Sequence, residues 1–454
     1  TGEALGGYSA FGHTTEGNKL MVEGVTGSLV AAYGGQTAGA SGNSVNNKVA
    51  LKGTGAGSIA NVYGGAVTKA ANGGNATGNI VNLGDGTAAT LAAGTNLANT
   101  TVYGGSRGGN GNTLNVKAKD INVKALRNFD ALHFHLGDKI GMGSTMLTLT
   151  DNDGLGRAMD WSKIQVDASA LSADQTEGKL TLLKGASVMN FSGYTGPADR
   201  TPAGNSGDYE LSLHTDTGTG AAQEVLLDYN RFRNAKKKYD GSTPATNGEV
   251  YGGISYFGRT TANNDLEITG TPTGGLGTVY GGKTTGTPRT PVDYPTKDSK
   301  ENKVTVEKEV TGEITNVIGG ATFVADGTAE GNAATVRGGK IGSVHGGLAV
   351  GAGGSAKGNK VFIEGGEFKA NGAVIGGGGR DASVTGDMSG NEITVTGGRM
   401  NSNNWLVGGN AWGTTSQSNN NVINLGDEAG NFNADLEGLS IWGSSYRVPT
   451  QQGG

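Results

Sequence analysis

Pairs of aliphatic residues two positions apart, each pair preceded by an asparagine, recur along most of the chain. They read Asn18/Leu20/Val22, Asn47/Val49/Leu51, Asn79/Val81/Leu83, Asn112/Leu114/Val116 and Asn264/Leu266/Ile268. The series continues as Asn302/Val304/Val306, Asn359/Val361/Ile363, Asn391/Ile393/Val395 and Asn421/Ile423/Leu425, with Asn332/Ala334/Val336 as a weaker copy. A spacing of two puts both aliphatic side chains on one face of a strand. No segment offers the i, i+3, i+4, i+7 pattern of a helix over three turns. A second signature alternates with the first: a small or aliphatic residue, a variable residue, then Gly-Gly. Its variable slot holds Tyr33, Tyr63, Tyr103, Tyr251, Tyr280, Ile318, His345, Ile375 and Val407, and Trp442 closes the series before Gly443-Ser444. Asn47 to Tyr63, Asn264 to Tyr280, Asn302 to Ile318, Asn359 to Ile375 and Asn391 to Val407 span the same distance, so the two signatures belong to one repeat.

Each unit of about 30 residues holds at least two short strands bounded by Gly and Asn, which punctuate turns. Such a unit cannot bury its apolar side alone, and stacking on copies of itself buries a continuous core. The spacing therefore predicts an all-β chain folded as a right-handed parallel β-helix, since parallel crossovers within one sheet are overwhelmingly right-handed. Repeats fill 1–124 and 249–454. Both signatures vanish over 125–248, where strand-like stretches such as Met146 to Leu149 and Val225 to Leu227 remain. That interruption is either irregular coils of the same solenoid or an inserted subdomain. Gly193 to Gly207 reads as a loop, and the prolines at 288, 291 and 295 mark a second excursion.

The recurring asparagines suit a left-handed turn position. They also suit a ladder in which stacked amides hydrogen-bond from coil to coil, comprising Asn18, Asn47, Asn79, Asn112, Asn264, Asn302, Asn359, Asn391 and Asn421. Strand alternation places the residue before Gly-Gly outside the core, so the tyrosines are expected on the surface, stacked in two runs. Tyr33, Tyr63, Tyr103, Tyr251, Tyr280 and Trp442 then become candidates for binding sugar rings or another chain, or form a structural stack along the coil edge.

Composition narrows the classes. There are 86 glycines in 454 residues and no cysteine, which excludes disulfides, thiolate metal sites and cysteine nucleophiles. A net charge of −5 gives no footprint for nucleic acid. No run of about 18 apolar residues offers a membrane-spanning helix. Gly277 to Thr284 formally fits a phosphate-binding loop, but Gly286 and Pro288 forbid the helix that motif requires. Gly376 to Asp381 resembles one calcium-binding turn without the tandem copies that would supply enough oxygens. His133 and His135 point off an apolar strand near Asp130 and Asp138, where a metal would need further ligands, and we assign no metal site. Arg231, Arg233, Lys236, Lys237 and Lys238 read as a solvated basic loop. Acidic residues are scattered and no serine-nucleophile motif occurs, so we assign no catalytic residue and no cofactor.

Laid out in this way, the Gly-Gly and Asn-x-aliphatic-x-aliphatic units resemble the secreted passenger region of a Gram-negative autotransporter of the adhesin type. The stretch Leu126 to Leu136 resembles a segment common in such passengers. The resemblance implies a non-enzymatic surface-displayed or released β-helix, with a C-terminal translocator barrel outside this chain. It implies attachment to host-surface glycans or proteins, or to sister copies on neighbouring cells. The competing classes are a β-helix polysaccharide lyase or hydrolase with its site in 125–248, and a passive stalk or filament subunit.

Overall fold

A computed structural model describes residues 2–446, apart from 40, 69–73, 107–108, 138, 142, 197, 200–207, 244, 246–247, 288–296, 401–402 and 414–415. The chain is all-β: parallel sheets stack as a β-solenoid of about 13 turns. Among the described residues the one helical element is a 3-10 turn at Trp161–Lys163.

Two compact units divide the chain: Thr1–Ser172 with Glu177–Tyr229, and Ala173–Thr176 with Asn230–Gly454. In the second unit each regular coil supplies three strands to three sheets. The coil around 302–331 gives Lys303–Val306, Glu313–Thr322 and Thr328–Glu330, and each strand pairs in register with the same strand of the coils before and after it. The aliphatic pairs of the sequence signature face inward. Leu266, Ile268, Val306, Val336, Val361, Ile363, Ile393 and Val395 are fully buried against Val279, Val317, Val344 and Leu406. In-register pairing puts like side chains on top of one another at every coil, so one Val/Ile/Leu column serves as the core of the whole unit.

The first unit repeats this plan and carries it through the region where the sequence signatures disappear. Ala125–Arg127 pairs with Thr101–Gly105, and Ala131–Gly137 pairs with Thr113–Val116. Apart from Ala173–Thr176, the segment from 125 to Tyr229 is thus built into the first unit's own sheets as irregular coils, and the second unit's sheets begin with Lys236–Tyr239 and Glu249–Ser255. Its core residues are larger than those of the regular coils: Phe129, Phe134, Met146, Trp161 and Phe191 are buried there. The expected loop from 193 to 207 is partly strand, since Ala198–Asp199 pairs antiparallel with Leu213 and Ser212. Residues 197 and 200–207 lie outside the described residues, as do the prolines at 288, 291 and 295.

Phe134 is a fully buried side chain of this core. Phe134→Ala should therefore lower unfolding stability by about 3–5 kcal/mol, measured by denaturant titration.

Candidate functional site: the Gly-Gly corner and its outer groove

The asparagines form a continuous hydrogen-bond ladder. Asn18, Asn47 and Asn79 each donate a backbone N–H, at 2.9–3.0 Å, to the side-chain oxygen of the next ladder residue, ending on Asn112. Their Nδ2 atoms donate to the same oxygens. In the second unit the chain of bonds runs from Asn264 through Asn302, Asn332, Asn359 and Asn391 to Asn421. Asn332, the weak copy by sequence, is a full member and completely buried. The left-handed turn belongs to a different residue, the one just before: Gly17, Asn46, Gly78, Gly111, Asn263, Glu301, Gly331, Gly358, Gly390 and Asn420 have positive φ. The ladder asparagines therefore serve as buried hydrogen-bonding groups and not as the turn residues themselves. Asp130 takes over from Asn112 at one end, accepting its N–H at 3.1 Å while Arg157 holds its other oxygen at 2.9 Å. Asn128-Phe129-Asp130 carried that signal in the sequence.

The two signatures are halves of one contact. A Cβ added to Gly35, Gly65, Gly253, Gly282, Gly320, Gly347, Gly377 or Gly409 would collide with the ladder amide that follows it in the chain. A Cβ on Gly34, Gly281, Gly319, Gly346 or Gly376 would collide with the carbonyl of the equivalent glycine one coil on. Leu5-Gly6-Gly7 is a further copy, in register with Tyr33-Gly34-Gly35 and packed on Asn18 in the same way.

At the Gly-Gly corner the strand bends, and the residues flanking the bend meet on its outer, concave side. Tyr280, Ile318, Ala321 and Leu348 form an apolar cluster with Tyr251, Phe323 and Val350, separate from the main core. Tyr33, Ala31, Ala66 and Tyr63 form its counterpart in the first unit. This corrects the expectation of surface tyrosines. Tyr33 and Tyr280 are only 7% and 5% exposed, and Tyr63, Tyr103 and Tyr251 are half-buried, because the second arm of the bent strand covers them. They do stack: Tyr33 on Tyr63 at 4.9 Å and 8°, Tyr63 on Tyr103 at 4.5 Å and 13°, Tyr251 on Tyr280 at 5.6 Å and 18°. Stacking covers both faces of Tyr63 and one face each of Tyr33, Tyr103, Tyr251 and Tyr280 with a neighbouring tyrosine, which reduces the ring area open to a sugar. Trp442 is 42% exposed, lies in register with Val407 and stacks on Trp405 at 6.2 Å.

One position in the groove was missed as a site. Lys283 follows Gly281-Gly282 on the strand Leu276–Thr284, which excludes the helix of a phosphate-binding loop. Its ammonium sits 4.8, 5.1 and 5.1 Å from the ring centres of Tyr280, Tyr251 and Phe323 and bonds Glu249 at 2.9 Å. The Lys283 side chain is 14% exposed. Glu249 also accepts from the hydroxyls of Tyr251 and Tyr280. Burial alone would push the Glu249 carboxyl upward, but the Tyr251 and Lys283 hydrogen bonds outweigh it and hold the carboxyl below its ordinary range. Burial, then the Glu249 charge, pushes the Tyr280 hydroxyl up to about 12. The cluster cements two coils: ion pair, hydrogen bonds and rings satisfy one another. In the same column the Nδ1 of His345, between Ile318 and Ile375, finds no partner among the described residues, and burial lowers its pKa to about 4.

The remaining candidates resolve individually. His135 bonds Asp167 at 3.2 Å and faces Asn115 at 3.5 Å, and burial lowers the pKa of both His133 and His135. Asp138 lies outside the described residues, and among those described no group of three or more His, Cys, Asp or Glu is placed to hold a metal. Gly376 to Gly379 belong to the strand Ala373–Gly379, and Asp381 accepts from the backbone N–H of Ser383 two residues on, at 2.8 Å. The basic segment is not a loop: Lys236–Tyr239 is a strand, Arg231 is buried at the end of Ala221–Arg231, and Lys238 bonds Glu267 at 3.0 Å. The chain matches no protein-family model, no curated protein and no solved structure.

Asn359→Ala leaves the Asn332 donors without their acceptor and should cost more than about 2 kcal/mol in denaturant unfolding. Gly347→Ala should be comparably destabilising, because its Cβ meets the same amide. The tyrosine stack predicts an alkaline transition. Burial raises the Tyr33 and Tyr63 hydroxyls to about 12, whereas unfolded phenols ionise near 10. Between those values the folded chain binds more protons, so stability falls as pH rises from about 10 to 12. Phenolate absorbance and melting temperature across that range check it, and Tyr63→Phe should flatten the fall.

Proposed function

We propose that the chain is a non-enzymatic, adhesin-like β-solenoid that attaches to host-surface glycans or proteins, or to sister copies of itself. Its setting in this reading is a bacterial cell surface or the surrounding medium, with export through a translocator barrel outside this chain, as the resemblance to autotransporter passengers implies. The supporting observation is the repetition of the lateral surface. The same outward positions recur at each coil of the second unit in register, spaced by ~4.8 Å, so contacts that are weak singly add from coil to coil. Charged side chains tie neighbouring coils together, as where Arg337 bridges Glu307 at 3.0 Å and Glu364 at 2.8 Å.

One observation favours the polysaccharide-processing alternative. A cleft of about 970 Å³ on adjacent coils is lined by Glu364, Glu392, Asp427 and Glu428. The Asn431 side-chain amide and backbone N–H hold the Asp427 carboxyl below its ordinary range, so it would act as a base and not as a proton donor.

A panel of polysaccharides and host-surface glycans, scored for retention and for release of new reducing ends, separates the readings. Retention, or clumping of beads coated with the chain, with no product release is the expected outcome. Release that disappears in Glu392→Gln would establish the enzyme. Neither retention, clumping nor release would leave a passive stalk.

A further inference from the structure

Seven strands of the second unit, from Lys236–Tyr239 to Val422–Leu425, form one sheet whose outward residues stand in columns set by the register. The first column carries Lys236, Asp265, Lys303, Ala333, Lys360, Glu392 and Val422, with Lys360 and Glu392 paired along it at 3.5 Å. The middle column runs Lys238, Glu267, Thr305, Thr335, Phe362, Thr394 and Asn424, its two charges paired with each other at 3.0 Å and its centre uncharged. Beyond the strand ends lie Glu307, Arg337 and Glu364, joined by ion pairs. The face is also polarised from end to end: Lys236 and Lys238 stand exposed at one end, and the carboxylate-lined cleft occupies the other.

We propose that this face docks on the same face of a second copy running antiparallel, about a two-fold axis between Lys303–Val306 and Ala333–Val336. Rotation about that axis sets Lys236 opposite Glu392 of the second copy, Asp265 opposite Lys360, and Glu307 opposite Arg337, each pair occurring twice. Thr305 meets Thr335 at the centre, and no like charges are opposed. Placing the axis on Ala333–Val336 instead would put Lys303 on Lys360, Asp265 on Glu392 and Glu307 on Glu364; an axis between Ala333–Val336 and Lys360–Ile363 would pair only Lys303 with Glu392 and Arg337 with Glu364, so charge favours the first register by its three kinds of opposite pair against two. The polarity of the face selects the antiparallel sense, because the lysine end then covers the carboxylate end. Six strands of this length present on the order of 400 Å² per copy, the size of a weak contact that acts through many copies at once. The inference rests on the self-association arm of the reading above.

Asp265 and Lys360 give a charge-swap test on the purified chain by sedimentation velocity. The unmodified chain should self-associate at low salt and dissociate as salt rises. Asp265→Lys and Lys360→Glu should each weaken association at least about tenfold, because each opposes like charges across the axis. An equimolar mixture of the two should recover association, since every contact between unlike copies is then of opposite sign. Thr335→Arg should also weaken association, by placing a long cationic side chain at the axis, and melting temperatures establish that each variant is folded. A chain that stays monomeric at low salt, variants that associate like the parent, or a mixture no better than its components would each overturn the proposal. Glycan retention measured on the same variants separates the two failures: a monomeric chain that still retains glycan loses the dimer and keeps the adhesive function.

Discussion

Each ladder asparagine sets its carboxamide in the space where the second glycine of the preceding bend has no side chain, and the rest of the fold follows from that fit. The amide is buried, so every one of its donors and acceptors requires a partner. Its oxygen accepts from the asparagine one coil back, and its nitrogen donates to the next oxygen and to nearby backbone or serine groups. This arrangement fixes the rise between coils, because a slip in stacking would strand several buried polar groups at once. It also fixes the bend. The strand can turn sharply beside the amide only where both flanking residues lack a Cβ.

The bend in turn creates the outer groove. Residues on either side of Gly-Gly lie on opposite arms of one angle and pack against each other outside the main core, which explains why stacked tyrosines point away from the core and are still buried. Where the two arms carry complementary groups, as at Lys283, Glu249, Tyr251 and Tyr280, the groove becomes a mutual cage that joins neighbouring coils. Where they are aliphatic, as at Ile318 and Leu348, the same geometry gives a second, narrow apolar seam. Most strong polar chemistry on this molecule is thereby directed along the solenoid axis.

Much of this was legible in the residues because a solenoid writes its geometry into its period. The β-class, the inward Val, Ile and Leu columns and the stacking of like residues all follow from local alternation and repetition, which act over a few residues. The interruption was less legible because larger core residues such as Phe134 and Trp161 replace the small repeat there, so no recurring signature marks its coils. Asn332 looked weak beside its copies because the side chains after it are small, yet its buried place in the ladder depends on Asn302 and Asn359, tens of residues away.

The sequence by itself determined the architecture: strands of a given length, the repeat that stacks them, and the asparagines and glycines that recur together. Tertiary structure alone decided what those residues touch. It moved the left-handed turn to the residue before each asparagine, covered the tyrosine faces with one another, and brought Lys283 to Glu249 across a coil. The physical reason is that alternation along a strand specifies the side on which a residue leaves the backbone. Whether that side is open or enclosed depends on the bend at Gly-Gly and on the neighbouring coil.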